Sequence, residues 1–304
     1  MLALLEQRLA KFPNDTANWR AALQLLASGD VDDGAVAAST GADGTASLKV
    51  AVVTAYFRED LATLLRCHAS VAAQTYPCRH VMVADGCARD EIDTWRVEHV
   101  RLSRPSADFG DTPRAKGGDA AIASGCDAIA YLDADNTLRP HHVESLVARR
   151  QATGAPWCRT GRTLHLSDGQ LLPVLHPDDS LGHVDTNCML ISGDALAMRS
   201  AWTAFPRILS AIGDRIVVRM LRARGFEPAH TGALTVRYTV NEARFYQALG
   251  LAPPPTARAP IAFEPIAAWY HGLGDVEREA LDATLGYPLA DLLRPMMSSR
   301  GIAL

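Results

Sequence analysis

The chain has 304 residues, of which 48% are hydrophobic and 21% charged, and its formal net charge is −4 at pH 7. That is the composition of a soluble globular protein with an ample core. It excludes a polybasic nucleic-acid or membrane surface and an unfolded polar chain. The six cysteines form no Cys-x-x-Cys pair, so reduced thiols are expected rather than a disulfide framework or a zinc site. No apolar run approaches the roughly 20 residues that span a bilayer. Glu6 and Gln7 interrupt the first turns where a signal peptide is uninterrupted, and a cytoplasmic protein is expected.

Leu2, Leu5 and Leu9 recur at helical spacing up to Pro13, and Asn14 or Asp15 can cap a second helix bearing Trp19, Leu23 and Leu26. Together they look like one tetratricopeptide-type hairpin, which cannot bury its own face and must pack on the main domain or on a second subunit. Residues 28–47, rich in Gly, Ala, Ser and Asp, have linker composition. Three units are therefore expected: a helical hairpin plus linker over 1–47, an α/β domain over 48–240, and a mostly helical extension over 241–304.

Residues 48–54 read as the first strand. A helix then starts near Glu59 or Asp60 with Leu61, Leu64, Leu65 and Val71 facing inward. Strands follow at 80–84, stopping at Asp85-Gly86, and at 97–102. Thr112 can cap a helix with Pro113 in its first turn, running to about Gly125. Residues 128–133 are an apolar strand. The β-α-β alternation switches at Thr54, Asp85 and Asp133 and predicts a doubly wound, mostly parallel sheet with right-handed crossovers. Further helices are expected over 140–151, 193–201 and 213–224, a hairpin over 159–166 and 170–175, and strands over 186–191 and 233–240. Two helices near 274–285 and 288–297 follow the proline-rich stretch 252–260.

The strand 128–133 ends on Asp133-Ala134-Asp135. Ligands of open α/β sheets bind beyond the carboxyl ends of such strands. Two carboxylates there repel unless a cation joins them, and a hard divalent ion shared with phosphate oxygens is the usual answer. A strand end with an Asp turn is the structural alternative.

In chain order, several stretches resemble the family 2 glycosyltransferases of the GT-A fold. They are Val50-Ala51-Val52-Val53-Thr54-Ala55-Tyr56, Ala73-Gln74-Thr75-Tyr76-Pro77, Val81-Met82-Val83-Ala84-Asp85-Gly86 and Arg114-Ala115-Lys116-Gly117. After them come Tyr131-Leu132-Asp133-Ala134-Asp135-Asn136, Asn187-Cys188-Met189-Leu190-Ile191 and Gly213-Asp214-Arg215. The resemblance covers about 48–240. It implies a GT-A domain, Rossmann-like, that moves a sugar from a nucleotide-diphosphate donor, UDP-linked by preference, to an acceptor hydroxyl. The acceptor is a glycan, a lipid-linked sugar, a protein side chain or a small molecule, as in polysaccharide or glycoconjugate synthesis. The expected cofactor is Mn²⁺ or Mg²⁺.

By the same resemblance Asp85 reads the base, and the chain at Thr54, Ala55 and Tyr56 lines base and ribose. Arg114 and Lys116 neutralise diphosphate or contact the base, and Asp133 with Ala134 faces the ribose or a metal-bound water. Asp135, with Asp133, binds the cation, and His183 is a candidate further ligand ahead of His230 and His271. Asp214 is the general base of an inverting displacement. Gly213 stands where the family usually has a first acid, and Asp119 where many relatives have asparagine. The other readings are a retaining glycosyltransferase or a sugar nucleotidyltransferase on a similar sheet, and a non-catalytic GT-A-like interaction protein. Peripheral membrane contact or a homodimer is compatible with all of them.

Overall fold

The computed structural model describes residues 47–172, 183–255 and 257–304. The expected N-terminal hairpin, and the end of the expected 170–175 strand, lie outside them.

Four parallel strands form one half of a nine-stranded sheet: β1 (Val50–Tyr56), β2 (Cys78–Asp85), β3 (Glu98–Leu102) and β4 (Ala128–Tyr131). Their order is β3-β2-β1-β4, with Val53 beside Val81 on one side and Tyr131 on the other. The connection after β3 crosses β1 to reach β4. This reversal of strand order opens a crevice at the carboxyl ends of β1 and β4. The other half is mixed. β5 (Thr137–Leu138), β6 (Trp157–His165), β7 (Leu171–Leu172), β8 (Met189–Ser192) and β9 (Ala229–Thr239) continue the sheet, β8 running antiparallel to both β4 and β6.

Strand β4 reads as an unbroken apolar run because it lies between β1 and β8, and every residue in it is buried. Helix α1 (Leu61–Ala72) starts where expected, with Asp60 accepting from the Thr63 N–H at 2.7 Å. Its buried stripe is Leu64, Cys67 and Val71, while Leu65 is 50% exposed. Leu65 was expected inside; it sits about 100° round the helix from Leu64, and Cys67 takes the inward place. Helix α2 (Asp111–Ala123) begins one residue before the expected cap, after Gly110 in the left-handed region at φ 88°. Gly117 in α2 lets the helix lie against the sheet, since a Cβ there would stand 2.4 Å from Val53 Cγ1.

Helix α3 is His142–Thr153 and α4 is Gly213–Ala223. Two segments differ in kind from expectation. Residues 186–188 form a 3-10 turn capped by Asp185, so the strand starts only at Met189. The segment Gly193–Thr203 is 3-10 rather than α-helical. In the C-terminal extension come α5 (Ala243–Ala248), α6 (Glu264–Gly272), α7 (Asp275–Leu285) and α8 (Leu289–Ser298). Ile266, Leu285, Leu289, Leu293 and Met297 bury into the same core as β1, β4 and β8. Among the described residues no helix is long and apolar enough to cross a membrane, and none of the six cysteines is in a disulfide.

Candidate active site

Parallel strands put their carboxyl ends on one edge, and the residues that follow β1, β2 and β4 meet there. Helices returning to the sheet put their N-termini on the same edge, which brings in Asp111 and Arg114 from the first turn of α2.

At the end of β2, Asp85 is 7% exposed, and its Oδ1 accepts from both the Ser106 N–H (2.8 Å) and hydroxyl (2.6 Å). Gly86 follows at φ +74°, and the loop after β3 lies so close that a Cβ on Gly86 would stand 2.4 Å from Pro105 N. Thr54 is wholly buried, with its hydroxyl 2.9 Å from His80 Nε2, so it can offer a ligand only its backbone. Tyr56 is also spent: its hydroxyl lies 2.7 Å from His99 Nε2 and accepts from the Arg89 N–H. Ala55 is half-buried, and Ala134 is buried against Tyr56 and Met82.

Beyond β4 the two carboxylates part. Asp133 accepts from Arg114 Nη2 at 2.7 Å and from Asn187 Nδ2 at 3.0 Å, while its backbone N–H donates to Asn187 Oδ1 at 2.5 Å. Burial pushes its carboxyl up, but the Arg114 charge and hydrogen bond, together with Asn187, hold it below the usual carboxylate range. Among the described residues Asp135 has no such partner: the nearest cation among them is Arg258 Nη2 of the C-terminal extension, 4.0 Å away. Burial and the Asp133 charge push it up to about 7. A partly exposed carboxylate in that state, beside one already neutralised, fits a divalent cation held by Asp135 and completed by substrate oxygens. Among the described residues no group of three or more His, Cys, Asp and Glu is placed to hold a metal ion.

Asp214 lies in the first turn of α4. Its Oδ1 accepts from the Arg215 N–H at 2.7 Å and its Oδ2 stands 3.3 Å from His183 Nε2. His183 is thus placed against the expected base. His230 Nδ1 accepts from the Gly232 N–H, and His271 lies by the Ala303 carbonyl. Arg114 links the two halves, since Asp133, Asp111 and Asp214 all raise its pKa against the pull of burial. Its guanidinium stacks over Trp202 at 5.1 Å. Trp157 and Trp202 are core residues, both essentially inaccessible. Lys116 is exposed, and Asp119 pairs with Arg199 at 3.0 Å. A role for Asn187 was not read from sequence; nor were Asp185, which accepts from Asn187 Nδ2 at 2.7 Å, and Arg162, which pairs with Asp185.

The strand order, with its switch point between β1 and β4, is that of the GT-A fold. Residues 51–159, from β1 into β6, match the family described as Glycosyl transferase family 2. Solved structures with the same fold include TarS 1-349 of S. aureus in complex with UDP. It has a TM-score of 0.52 and 14% identity over 83% of this chain and 72% of that one. The same protein in complex with UDP-GlcNAc gives 0.52 and 14% over 83% and 73%. The longer TarS chain gives 0.52 and 13%, with 44% of it covered. No curated protein sequence matches the chain.

Proposed function

We propose that this chain moves a sugar from a nucleotide-diphosphate donor, UDP-linked first among candidates, to an acceptor hydroxyl, with inversion at the anomeric carbon. The reading is carried by one observation: Arg114 ties Asp133, at the donor crevice, to the neighbourhood of Asp214, the acid opening α4. A donor bound beyond β1 and β4 then has a carboxylate on the far side of its anomeric carbon. UDP is favoured because the fold is shared with a protein seen with UDP and UDP-GlcNAc.

In the proposed reaction the acceptor oxygen attacks the anomeric carbon while the bond to the diphosphate breaks. Asp214 takes the hydroxyl proton, and the departing nucleoside diphosphate keeps the electron pair. His183 at 3.3 Å orients the Asp214 carboxylate by occupying one of its oxygens. Asp85, fixed through one oxygen by Ser106, keeps the other for the N–H edge of the base. Asn187 and Arg114 fix Asp133 in one orientation. A divalent cation held by Asp135, when bound, supplies Lewis-acid stabilisation of the charge gathering on the leaving group.

The test is thermal unfolding with UDP, GDP, dTDP and CDP, each with and without Mn²⁺, on the wild type and Asp135→Ala. A ligand at about 100 times its Kd stabilises by about 2.7 kcal/mol. The expected result is a shift with UDP that needs both Mn²⁺ and Asp135. No shift with any nucleotide would overturn the reading. The anomeric configuration of the product then decides inversion.

A further inference from the structure

We infer that Asp111 is a positioning residue for this site. It is delivered from α2 into the space that a side chain at residue 213 would fill, and it holds Arg114 between Asp133 and Asp214. The inference rests on the proposed function for what the site does, but the pairing of Asp111 with Gly213 stands on geometry alone.

Gly213 is not glycine for the sake of its backbone. Its φ of −57° and ψ of −40° are ordinary helical values that any residue adopts. Glycine in a helix interior costs about 1 kcal/mol relative to alanine, and Gly213, at the first helical position, bears a smaller share of that cost. What it provides is room. A Cβ at 213 would stand 2.9 Å from Asp111 Oδ1, 3.0 Å from Asp111 Oδ2 and 3.1 Å from Phe205 Cζ. Asp111 fills that room although a carboxylate is a costly occupant. It is 2% exposed, and its Oδ2 has no hydrogen-bond partner among the described residues. Two locally unfavourable choices therefore meet at one contact, one residue before Asp214. Sequences break local rules in this way where a site requires it.

The requirement is visible in Arg114. Its Nη1 lies 3.5 Å from Asp111 Oδ1, one helical turn back, and its Nη2 lies 2.7 Å from Asp133. Asp133 is the more exposed anchor, at 29% against 3% for the Asp111 side chain. Without Asp111 the guanidinium is drawn toward Asp133 and away from Asp214. Asp111 itself is too deep to touch a substrate, so it acts through Arg114.

The experiment uses the full chain and six proteins: wild type, Asp111→Ala, Gly213→Ala, the Asp111→Ala/Gly213→Ala double variant, Asp111→Asn, and Asp111→Ala/Gly213→Asp. Denaturant unfolding reads the pairing. Gly213→Ala should destabilise the wild type and be neutral or stabilising once Asp111 is gone; an equal effect in both backgrounds overturns the pairing. Donor turnover reads the positioning. With turnover read at pH 8 or above, where the Asp111 carboxyl is ionised, Asp111→Asn keeps the shape and loses the charge, so kcat should fall about tenfold or more with the donor KM nearly unchanged. Asp111→Ala/Gly213→Asp, which returns a carboxylate from the other side of the contact, should recover much of what Asp111→Ala loses. Asp111→Asn turning over like the wild type, or no recovery in a folded double variant, overturns the positioning role. A wild type that turns over no nucleotide sugar sinks the proposed function and the positioning role with it, and the unfolding cycle still decides whether Asp111 and Gly213 are coupled.

Discussion

Asn187 grips Asp133 at two points, its Oδ1 taking the Asp133 backbone N–H at 2.5 Å and its Nδ2 donating to Asp133 Oδ2 at 3.0 Å. The same Nδ2 reaches Asp185 Oδ1 at 2.7 Å, and Asp185 is paired with the buried Arg162. The amide is thus wedged between two carboxylates that would otherwise repel. Asn187→Leu removes the donor and leaves both under-satisfied, a loss of about 1–3 kcal/mol. Asn187→Asp adds a third carboxylate and should be worse than Asn187→Leu in both stability and nucleotide affinity. Thermal unfolding and UDP titration of the two variants check the order; Asn187→Asp matching the wild type would contradict it.

Asp214→Asn should separate chemistry from binding. The amide keeps the size of the side chain and can still accept from the Arg215 N–H, but it cannot take a proton. A general base contributes about 10²–10⁴ in rate. Turnover should fall by that order, while the UDP-dependent thermal shift persists because Asp133, Asp135 and Asp85 are untouched. His183→Ala should cost less than Asp214→Asn, since it removes only the neighbour that orients the carboxylate. Steady-state kinetics with the thermal shift as control decide both.

Much of this edge was legible in sequence because it is punctuated locally. Asp85-Gly86 ends one apolar run and Asp133-Ala134-Asp135 ends another, and a parallel sheet carries both to the same side without any knowledge of packing. Asp214 was singled out only by the resemblance to the family, as the acid at the start of the helix over 213–224; its local pattern alone reads equally as a helix cap. The supporting contacts were not legible. Asn187 and Asp133 are 54 positions apart, and nothing local says that an asparagine before β8 bonds to the end of β4. The backbone of Thr54 to Tyr56 is expected to line a nucleotide, and what the pattern did not show is that the Thr54 and Tyr56 side chains turn to histidines inside the protein, His80 and His99. Leu65 lies outside because the buried stripe runs through Leu64, Cys67 and Val71 at spacings of three and four, and Cys67 behaves there as a small apolar side chain. A helical glycine with no turn to make, Gly213, was the one sequence signal that pointed toward Asp111.

Gly117→Ala should damage the fold without touching the chemistry of the edge. The added methyl would meet Val53 Cγ1 at 2.4 Å and Val83 Cγ2 at 2.9 Å, on two central strands. Overpacking of this kind costs about 1–3 kcal/mol. The midpoint of unfolding should drop, with kcat of the folded protein close to that of the wild type. Gly154→Ala, where a Cβ meets nothing within 4 Å but φ is +71°, tests strain alone and should cost less.

The stability that Asp111 contributes to the ligand-free protein should fall as pH rises from about 5 to 8, against the opposite slope of buried His80 and His142, which burial pushes down to about 3. Burial, partly offset by Arg114 and Ser210 and reinforced by Asp108 and Asp214, pushes Asp111 up to about 7 from a reference of 3.8. Between those values the folded state holds a proton that the unfolded chain has released. Its contribution to the slope of stability with pH is therefore negative there, and the advantage is lost as pH passes the folded value. Asp135, also pushed up to about 7, contributes in the same direction. Asp111→Asn removes one of the two and should make the slope less negative, or more positive, across this range. Denaturant midpoints at pH 5, 6, 7 and 8 measure it, and an identical slope in the variant would refute the assignment to Asp111.

Arg258 should matter for diphosphate and not for nucleoside. It comes from the C-terminal extension, outside the matched segment 51–159, and is fixed by its backbone, which donates to the Asn241 carbonyl at 2.6 Å and accepts from the Ala243 N–H. Its guanidinium stands 4.0 Å from Asp135 and is 61% exposed, so as an ion pair it contributes little to stability. Its position beside the carboxylate proposed to carry the cation places a mobile positive charge where the donor's diphosphate would lie. A charge-assisted hydrogen bond is worth about 1.5–3 kcal/mol. Arg258→Ala should therefore weaken UDP binding about tenfold or more and leave uridine binding and the unfolding midpoint nearly unchanged. Calorimetric titration with both ligands separates the cases. Equal losses for UDP and uridine would mean that the extension shapes the base pocket instead, and no loss for either would leave Arg258 as a surface partner of Asp135 alone.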